Sequence, residues 1–301
     1  MLAELSKTLT ELRGQLLPQE PLAKYTSWRV GGPADYVYIP ADIDDLASFL
    51  RQLSKDIPIL WLGLGSNVLI RDGGVPGVVV VTQGALNQIS LLQPTLIRAE
   101  AGVACAQLAR HSARLGLTGL EFLAGIPGTV GGALAMNAGC YGGETWQKVH
   151  SVEIVNRFGQ TKTRPLSDYQ ASYRHVKRPE ENEWFVAGCF DLRFGDKIQS
   201  LTEIRLLIEK RNAAQPTGLP NCGSVFRNPE GNFAARLIEQ CGLKGKQRGN
   251  SSVSEKHANF IINEGNATAA EIEGLIYEVA DTVEKQHGIR LIPEVCIIGK
   301  P

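Results

Sequence analysis

The chain has no surplus of charge: 31 lysines and arginines stand against 31 aspartates and glutamates in 301 residues. A balanced chain has no long-range field to gather polyanions, so neither nucleic acid nor a membrane surface is an expected partner. It also lacks an uninterrupted apolar stretch of about eighteen residues, the length a membrane-crossing helix needs. Its start, Met1-Leu2-Ala3-Glu4-Leu5, has no basic region leading into a long apolar core, so a soluble, unexported, cytoplasmic protein is expected. The six cysteines, at 105, 140, 189, 222, 241 and 296, form no C-x-x-C pair. That argues against structural zinc and a thioredoxin-like site, and no metal site is expected. Most of the thiols are expected to be buried, with Cys222 a small apolar side chain beside a tight turn. Two common nucleotide motifs are missing as well. There is no G-x-x-x-x-G-K-[ST], and the G-x-G that begins at Gly63 has Val68 where the third glycine of a dinucleotide fingerprint belongs.

Glycine, in contrast, is concentrated. One stretch reads Gly63-Leu64-Gly65-Ser66-Asn67-Val68-Leu69-Ile70-Arg71-Asp72. About sixty residues on comes Gly125-Ile126-Pro127-Gly128-Thr129-Val130-Gly131-Gly132, which continues to Met136-Asn137-Ala138-Gly139. Glycine allows the backbone to approach a ligand closely and to adopt turns that point several N–H groups at one pyrophosphate. Two such stretches together indicate a flavin nucleotide. A third segment, Thr26-Ser27-Trp28-Arg29-Val30-Gly31-Gly32-Pro33-Ala34-Asp35, precedes an alternating apolar run from Tyr36 to Ile39.

Leu2, Leu5, Leu9, Leu12 and Leu16 recur at three- and four-residue spacing, which predicts an amphipathic helix. A second helix is predicted over Ile43 to Leu53, opened by Asp42 or Asp44, and a strand from Pro58 to Leu62 feeds the first glycine stretch. Strands over Val78 to Thr82 and Thr95 to Ala99 and a helix from Cys105 to Leu115 follow, an α+β order without βαβ regularity. Further strands are predicted at Val152 to Asn156 and Trp184 to Arg193, with Tyr173-Arg174 in the loop between them. A helix from Leu201 to Arg211 ends near Gln215-Pro216-Thr217-Gly218-Leu219-Pro220, whose prolines and glycine mark a hinge. Beyond it lie Phe233 to Cys241, Glu271 to His287 and a final strand, Val295 to Ile298.

In this order and spacing the chain resembles the UDP-N-acetylenolpyruvoylglucosamine reductases, flavoenzymes of peptidoglycan precursor synthesis. The resemblance covers roughly residues 20 to 299 and is strongest at Gly125 to Tyr141, Asn221 to Pro229 and Pro293 to Gly299. It implies an α+β, two-subdomain FAD-binding fold of the PCMH type, like vanillyl-alcohol oxidase, plus a C-terminal α+β substrate-binding domain. The implied divisions are residues 1–84 with the N-terminal helix, 85–199, and 200–301, with the FAD domain at about 28–195. The shorter group of the family, without an added loop over the substrate, is the better match.

The implied activity is NADPH-dependent, FAD-mediated reduction of UDP-N-acetylglucosamine enolpyruvate to UDP-N-acetylmuramate. A small-molecule substrate is expected, and no obligate protein partner. FAD is implied to lie against Trp28, Arg29 and Gly31, then Gly63, Gly65, Ser66 and Asn67. From the second stretch come Gly125, Ile126, Pro127, Gly128 and Thr129, then Gly131, Gly132, Asn137 and Gly139. Saturating an enol ether places hydride on one alkene carbon and a proton on the other, so an acid must face the second carbon. By resemblance that acid is Ser224, in Asn221-Cys222-Gly223-Ser224-Val225-Phe226-Arg227-Asn228-Pro229. A serine hydroxyl is a weak acid and needs charge stabilised on the substrate beside it. Arg174 matches the family position for a bidentate clamp on the substrate carboxylate. Glu294, if protonated, would donate to the enediolate. Tyr173, Arg227, Asn228 and His257 are implied at the uridine diphosphate end, His257 as a binding or packing residue and not a base. The family often has lysine just before the Gln-Pro of the hinge, whereas this chain has Ala214; Lys210 or Arg211 would have to substitute. Two rivals stay open: a flavoprotein of the same fold with another electron acceptor or donor, and a noncatalytic nucleotide-binding scaffold.

Overall fold

The computed structural model describes residues 9–301. Of the predicted N-terminal helix, Leu2 and Leu5 lie outside the described residues. The remainder is not helical: Gln15–Pro21 is a strand, and the residues before it run as irregular chain. Side chains supply the partners that a helix would have found internally. Thr10 N–H donates to Gln52 Oε1 at 2.9 Å and Arg13 N–H to Asp45 Oδ1 at 2.7 Å. Leu9, Leu12 and Leu16 still meet apolar surface, packing against the cluster that holds Leu46 and Phe49. Periodic leucines are equally well buried by an extended chain crossing a helix, so tertiary contact overrides the periodicity.

The chain divides into two compact units. The first holds the described residues through Pro18, Tyr36–Leu64 and Gly77–Lys210; the second holds Gln19–Asp35, Gly65–Pro76 and Arg211–Pro301.

In the first unit the helix Ile43–Gln52 begins where Asp42 accepts the Asp45 N–H at 2.9 Å, so of the two aspartates expected to open it Asp42 is the N-cap. Ile59–Leu62 pairs in parallel with Val75–Val81, Ile59 opposite Val78. A five-stranded antiparallel sheet follows in the order Thr161–Pro165, Val149–Asn156, Glu183–Asp191, Leu96–Glu100, Ile89–Gln93. Against it pack the helices Cys105–Arg114 and Val130–Met136, around Leu108, Leu134 and Phe190. The predicted loop at Tyr173-Arg174 is the two-residue turn of a hairpin, Gln170–Ser172 with His175–Lys177. Lys197–Ala214 is a longer helix than the pattern suggests.

The second unit has one core, with Trp28, Leu69, Val225, Phe226 and the buried face of the helix Ala269–His287. A three-stranded sheet, Gln247–Arg248, Ser251–Val253 and Ile261–Asn263, and the helix Ala234–Gln240 contribute to it. The strand within the first glycine stretch, Val68–Ile70, pairs in parallel with Cys296–Ile298. No described helix is long and apolar enough to cross a membrane. Three of the six thiols, Cys105, Cys189 and Cys222, are buried; Cys140 and Cys241 are half-buried and Cys296 is exposed.

Candidate active site

The first glycine stretch turns sharply at Gly65, whose φ is +65°. A Cβ there would lie 2.1 Å from the Tyr25 carbonyl oxygen, so only glycine lets these two backbones pass. The Ser27 N–H donates to the Gly65 carbonyl at 3.1 Å, which ties the third glycine-bearing segment to the first within the second unit. Gly32 donates its N–H to Arg71 O at 3.1 Å, and a Cβ on it would sit 2.0 Å from Asp72 O. Among the described residues, the backbone N–H groups of Gly65, Ser66 and Asn67 find no acceptor. Three neighbouring unmet donors beside a positive-φ glycine form a cradle suited to an anion such as a flavin's pyrophosphate. Arg29, at φ +58°, is exposed at the same loop. Trp28 is otherwise placed: it is fully buried and its indole N–H donates to Ile261 O at 2.8 Å. Its side chain anchors the loop to the core.

Ser224 and Glu294 are 70 positions apart in sequence, and the fold brings their backbones together. The Glu294 N–H donates to the Val225 carbonyl at 2.7 Å and the Arg227 N–H to Ile292 O at 3.0 Å, with Phe226 opposite Pro293. Asn67 joins them from the glycine cradle. Its Nδ2 donates to Glu294 O at 3.2 Å and its carbonyl accepts the Cys296 N–H at 3.0 Å. Burial pushes the Cys222 thiol well above its ordinary pKa, and the Glu294 carboxylate adds to that rise. Cys222 therefore stays a protonated, inert thiol at neutral pH.

The first unit holds the second stretch. Gly63 lies against it, since a Cβ there would come 2.4 Å from Thr129 Oγ1. Val130 and Gly131 donate their N–H groups to Val103 and Ala101, and Gly128 accepts from the Cys105 N–H. Thr129 caps the helix Val130–Met136, accepting from Gly132 N–H at 3.4 Å. This stretch thus directs most of its N–H groups into the protein, unlike Gly65 to Asn67. Its glycines are sites of close packing: Gly125 against Cys140 and Tyr141, Gly131 against Ala101. Ile126 and Pro127 remain at the surface of the turn. Asn137 closes the helix at φ +43° and is buried, donating to Ser172 O at 3.0 Å. Arg174, at φ +54°, donates through both Nη atoms to Gly139 O at 3.3 and 3.4 Å. The hairpin carrying Tyr173 and Arg174 is thereby tethered to Asn137 and Gly139. The Arg174 guanidinium also lies 5.2 Å from the centre of the Tyr173 ring, which is exposed.

Of the residues assigned to the diphosphate end, Arg227 is exposed. Asn228 accepts the Ala234 N–H at 3.1 Å, closing the loop before its helix. His257 packs edge-on to Phe260, its Nδ1 accepting the Asn259 N–H at 3.3 Å, and burial lowers its pKa. Arg211 is engaged by Gln215 at 3.1 Å, and the Lys210 ammonium lies 5.4 Å from the Tyr141 ring centre. Lys256, which sequence reasoning passed over, donates to the Asn212 carbonyl, two residues before Ala214.

Three further residues went unnoticed because their partners are remote. Asp72 accepts the N–H groups of Ala269 and Ala270, each at 2.9 Å, at the start of the long helix. Arg71 binds Glu273 on that helix through Nε and Nη2 at 2.8 and 2.7 Å. Asn263 donates to Trp28 O at 2.9 Å. The only local signal was the Arg71-Asp72 pair closing the first glycine stretch.

Known proteins resemble this chain over nearly its whole length. Residues 34–163 match the family described as FAD binding domain. Residues 215–298 match the family described as UDP-N-acetylenolpyruvoylglucosamine reductase, C-terminal domain. The UDP-N-acetylenolpyruvoylglucosamine reductase of Legionella pneumophila (strain Corby) is 58% identical over 295 residues, covering 98% of this chain and 96% of that protein. Its counterpart in Alkalilimnicola ehrlichii is 54% identical over 287 residues, covering 95% and 96%. The crystal structure of the Thermus caldophilus UDP-N-acetylenolpyruvylglucosamine reductase superimposes with a TM-score of 0.80 at 30% identity, covering 96% of this chain and 100% of that one. With relatives at 54–58% identity matched over nearly the whole length of both chains, this chain belongs to the UDP-N-acetylenolpyruvoylglucosamine reductase family.

Proposed function

We propose that this protein reduces UDP-N-acetylglucosamine enolpyruvate to UDP-N-acetylmuramate, using FAD and NADPH, in the cytoplasm. FAD, when bound, supplies the hydride carrier that no side chain provides. The unmet N–H groups of Gly65, Ser66 and Asn67 would take its pyrophosphate. In this reading residues 1–84 and 85–199 serve the flavin and residues 200–301 serve the substrate.

Reduction adds hydride to one carbon of the enol ether and a proton to the other, and Ser224 Oγ–H supplies that proton. Arg174 binds the substrate carboxylate with its planar fork, neutralising charge that grows as the enediolate forms. Glu294, if protonated, would donate a hydrogen bond to the enediolate. Lowering the energy of the enediolate eases the hydride addition that forms it, and its carbon is basic enough to take a proton from so weak an acid as a serine hydroxyl. Asn228, Arg227 and Tyr173 are assigned to the uridine diphosphate end.

The observation that carries this reading is the junction at Asn67. Its backbone N–H belongs to the flavin cradle, its side chain holds the Glu294 carbonyl, and the Glu294 N–H holds Val225, next to Ser224. An anaerobic titration followed at the flavin band tests it. NADPH should bleach the band, and the enolpyruvyl substrate should restore it. A band that bleaches and stays bleached would refute the substrate, and a protein that stays colourless with added FAD would refute the flavin.

A further inference from the structure

The segment carrying Ser224 is held along two edges. On one, Val225 O and Arg227 N–H pair with Glu294 and Ile292. On the other there is no strand. The Val225 N–H donates to the main-chain carbonyl of Asn259 at 2.9 Å. The Phe226 N–H donates to Asn259 Oδ1 at 2.9 Å, and Asn259 Nδ2 donates to the Phe226 carbonyl at 2.8 Å. One asparagine side chain makes both hydrogen bonds that a residue of a neighbouring strand would make. Val225, Phe226 and Asn259 are 0%, 1% and 3% exposed, so water cannot readily stand in for any of these bonds.

Ser224 is restrained chiefly by the residue that follows it. Before it, Gly223 has φ +79°, and a Cβ there would meet nothing within 4 Å. The Gly223 N–H is held only by the turn bond to Asn221 Oδ1 at 2.8 Å. After it, Val225 is fixed by both its N–H and its C=O. We propose that Asn259 is a positioning residue for proton delivery, setting where the Ser224 hydroxyl stands relative to Glu294. It is buried and acts through Val225 and Phe226. The inference rests on the reading of Ser224 as proton donor. A shift of about 1 Å in a reacting group is enough to slow a step by about a hundredfold. Alanine at 259 removes both side-chain bonds. Aspartate keeps the shape, but its carboxylate accepts only, and it would face the Phe226 carbonyl.

The test uses FAD-loaded Asn259→Ala and Asn259→Asp with the two half-reactions measured separately by anaerobic stopped flow. Flavin reduction by NADPH should stay within about twofold of the parent, and the half-saturating concentration of enolpyruvyl substrate within about threefold. Reoxidation by that substrate should slow about tenfold to a hundredfold. Its solvent deuterium isotope effect should grow as proton transfer limits the rate. A purely structural role would move both half-reactions together; that outcome, or parental reoxidation in both variants, overturns the inference. Ser224→Ala run alongside separates the two claims. Slow reoxidation there with normal Asn259 variants defeats the positioning role alone, whereas parental reoxidation in Ser224→Ala defeats the proton-donor reading itself. Should neither Asn259 variant fold, hydrogen exchange on the parent decides. The Val225 and Phe226 amides must exchange as slowly as those of Ile261–Asn263, and exchange at exposed-loop rates overturns the inference.

Discussion

Replacing Gly65 by alanine perturbs the flavin cradle at its tightest point. The added Cβ would stand 2.1 Å from the Tyr25 carbonyl oxygen and 2.8 Å from Thr26 Cα. Both neighbours are backbone, so no side chain can swing aside. A non-glycine residue held at positive φ costs roughly 1–2 kcal/mol, and forcing an extra carbon into a packed site adds about 1–3 kcal/mol. The variant should lose about 2–5 kcal/mol of stability, which at about 2 °C per kcal/mol for a chain of this size lowers the melting midpoint by about 4–10 °C. Relief of the contact requires the turn to move, and the N–H groups of Gly65 to Asn67 move with it. Losing one charge-assisted hydrogen bond of about 1.5–3 kcal/mol weakens FAD binding about tenfold to a hundredfold. Titration of the apoprotein with FAD, followed by flavin fluorescence, reads the affinity, and melting with and without FAD reads the linked stabilisation. Gly84→Ala is the control: Gly84 also has positive φ, +75°, but its Cβ would meet nothing within 4 Å. It should show a small stability loss and unaltered FAD affinity. Parental FAD affinity in Gly65→Ala would refute the assignment of the cradle.

Asp72→Ala removes two charge-assisted bonds to the start of the helix Ala269–His287 and should cost about 2–4 kcal/mol, read as a lower denaturation midpoint; Asp72→Asn should cost about half as much. Lysine in place of Arg174 cannot make two bonds to Gly139 O or a forked grip on a carboxylate, so reoxidation by the enolpyruvyl substrate should slow at least about tenfold while NADPH reduction is spared. Burial holds the His257 pKa below its ordinary 6.5, so the unfolded chain binds a proton first as pH drops. The associated stability is present above about pH 6.5 and is lost as pH falls towards the folded-state pKa. Urea denaturation at several pH values should show that loss, and His257→Asn should flatten it.

Much of the architecture is legible in the sequence because it depends on neighbours a few residues apart. The helix beginning after Asp42 and the strand into Gly63 both follow from local chemistry. The N-terminal leucines were misleading because their spacing suits an extended chain crossing a helix as well as a helix. In the second glycine stretch the pattern foretold close approach, and the protein neighbours it meets are largely Ala101, Val103 and Cys140.

By itself the sequence determined the order of the glycine stretches, the sites where only glycine can turn, and the Ser224, Arg174 and Glu294 motifs. Tertiary structure alone decided which N–H groups remain unmet and which residues stand beside Ser224. Asn67 and Glu294 are 227 residues apart, Asp72 and Ala269 are 197 apart, and Asn259 meets Phe226 across 33. Hydrogen bonds over such separations leave no periodicity in the chain, because each depends on where folding carries two backbones, not on what lies next to either residue.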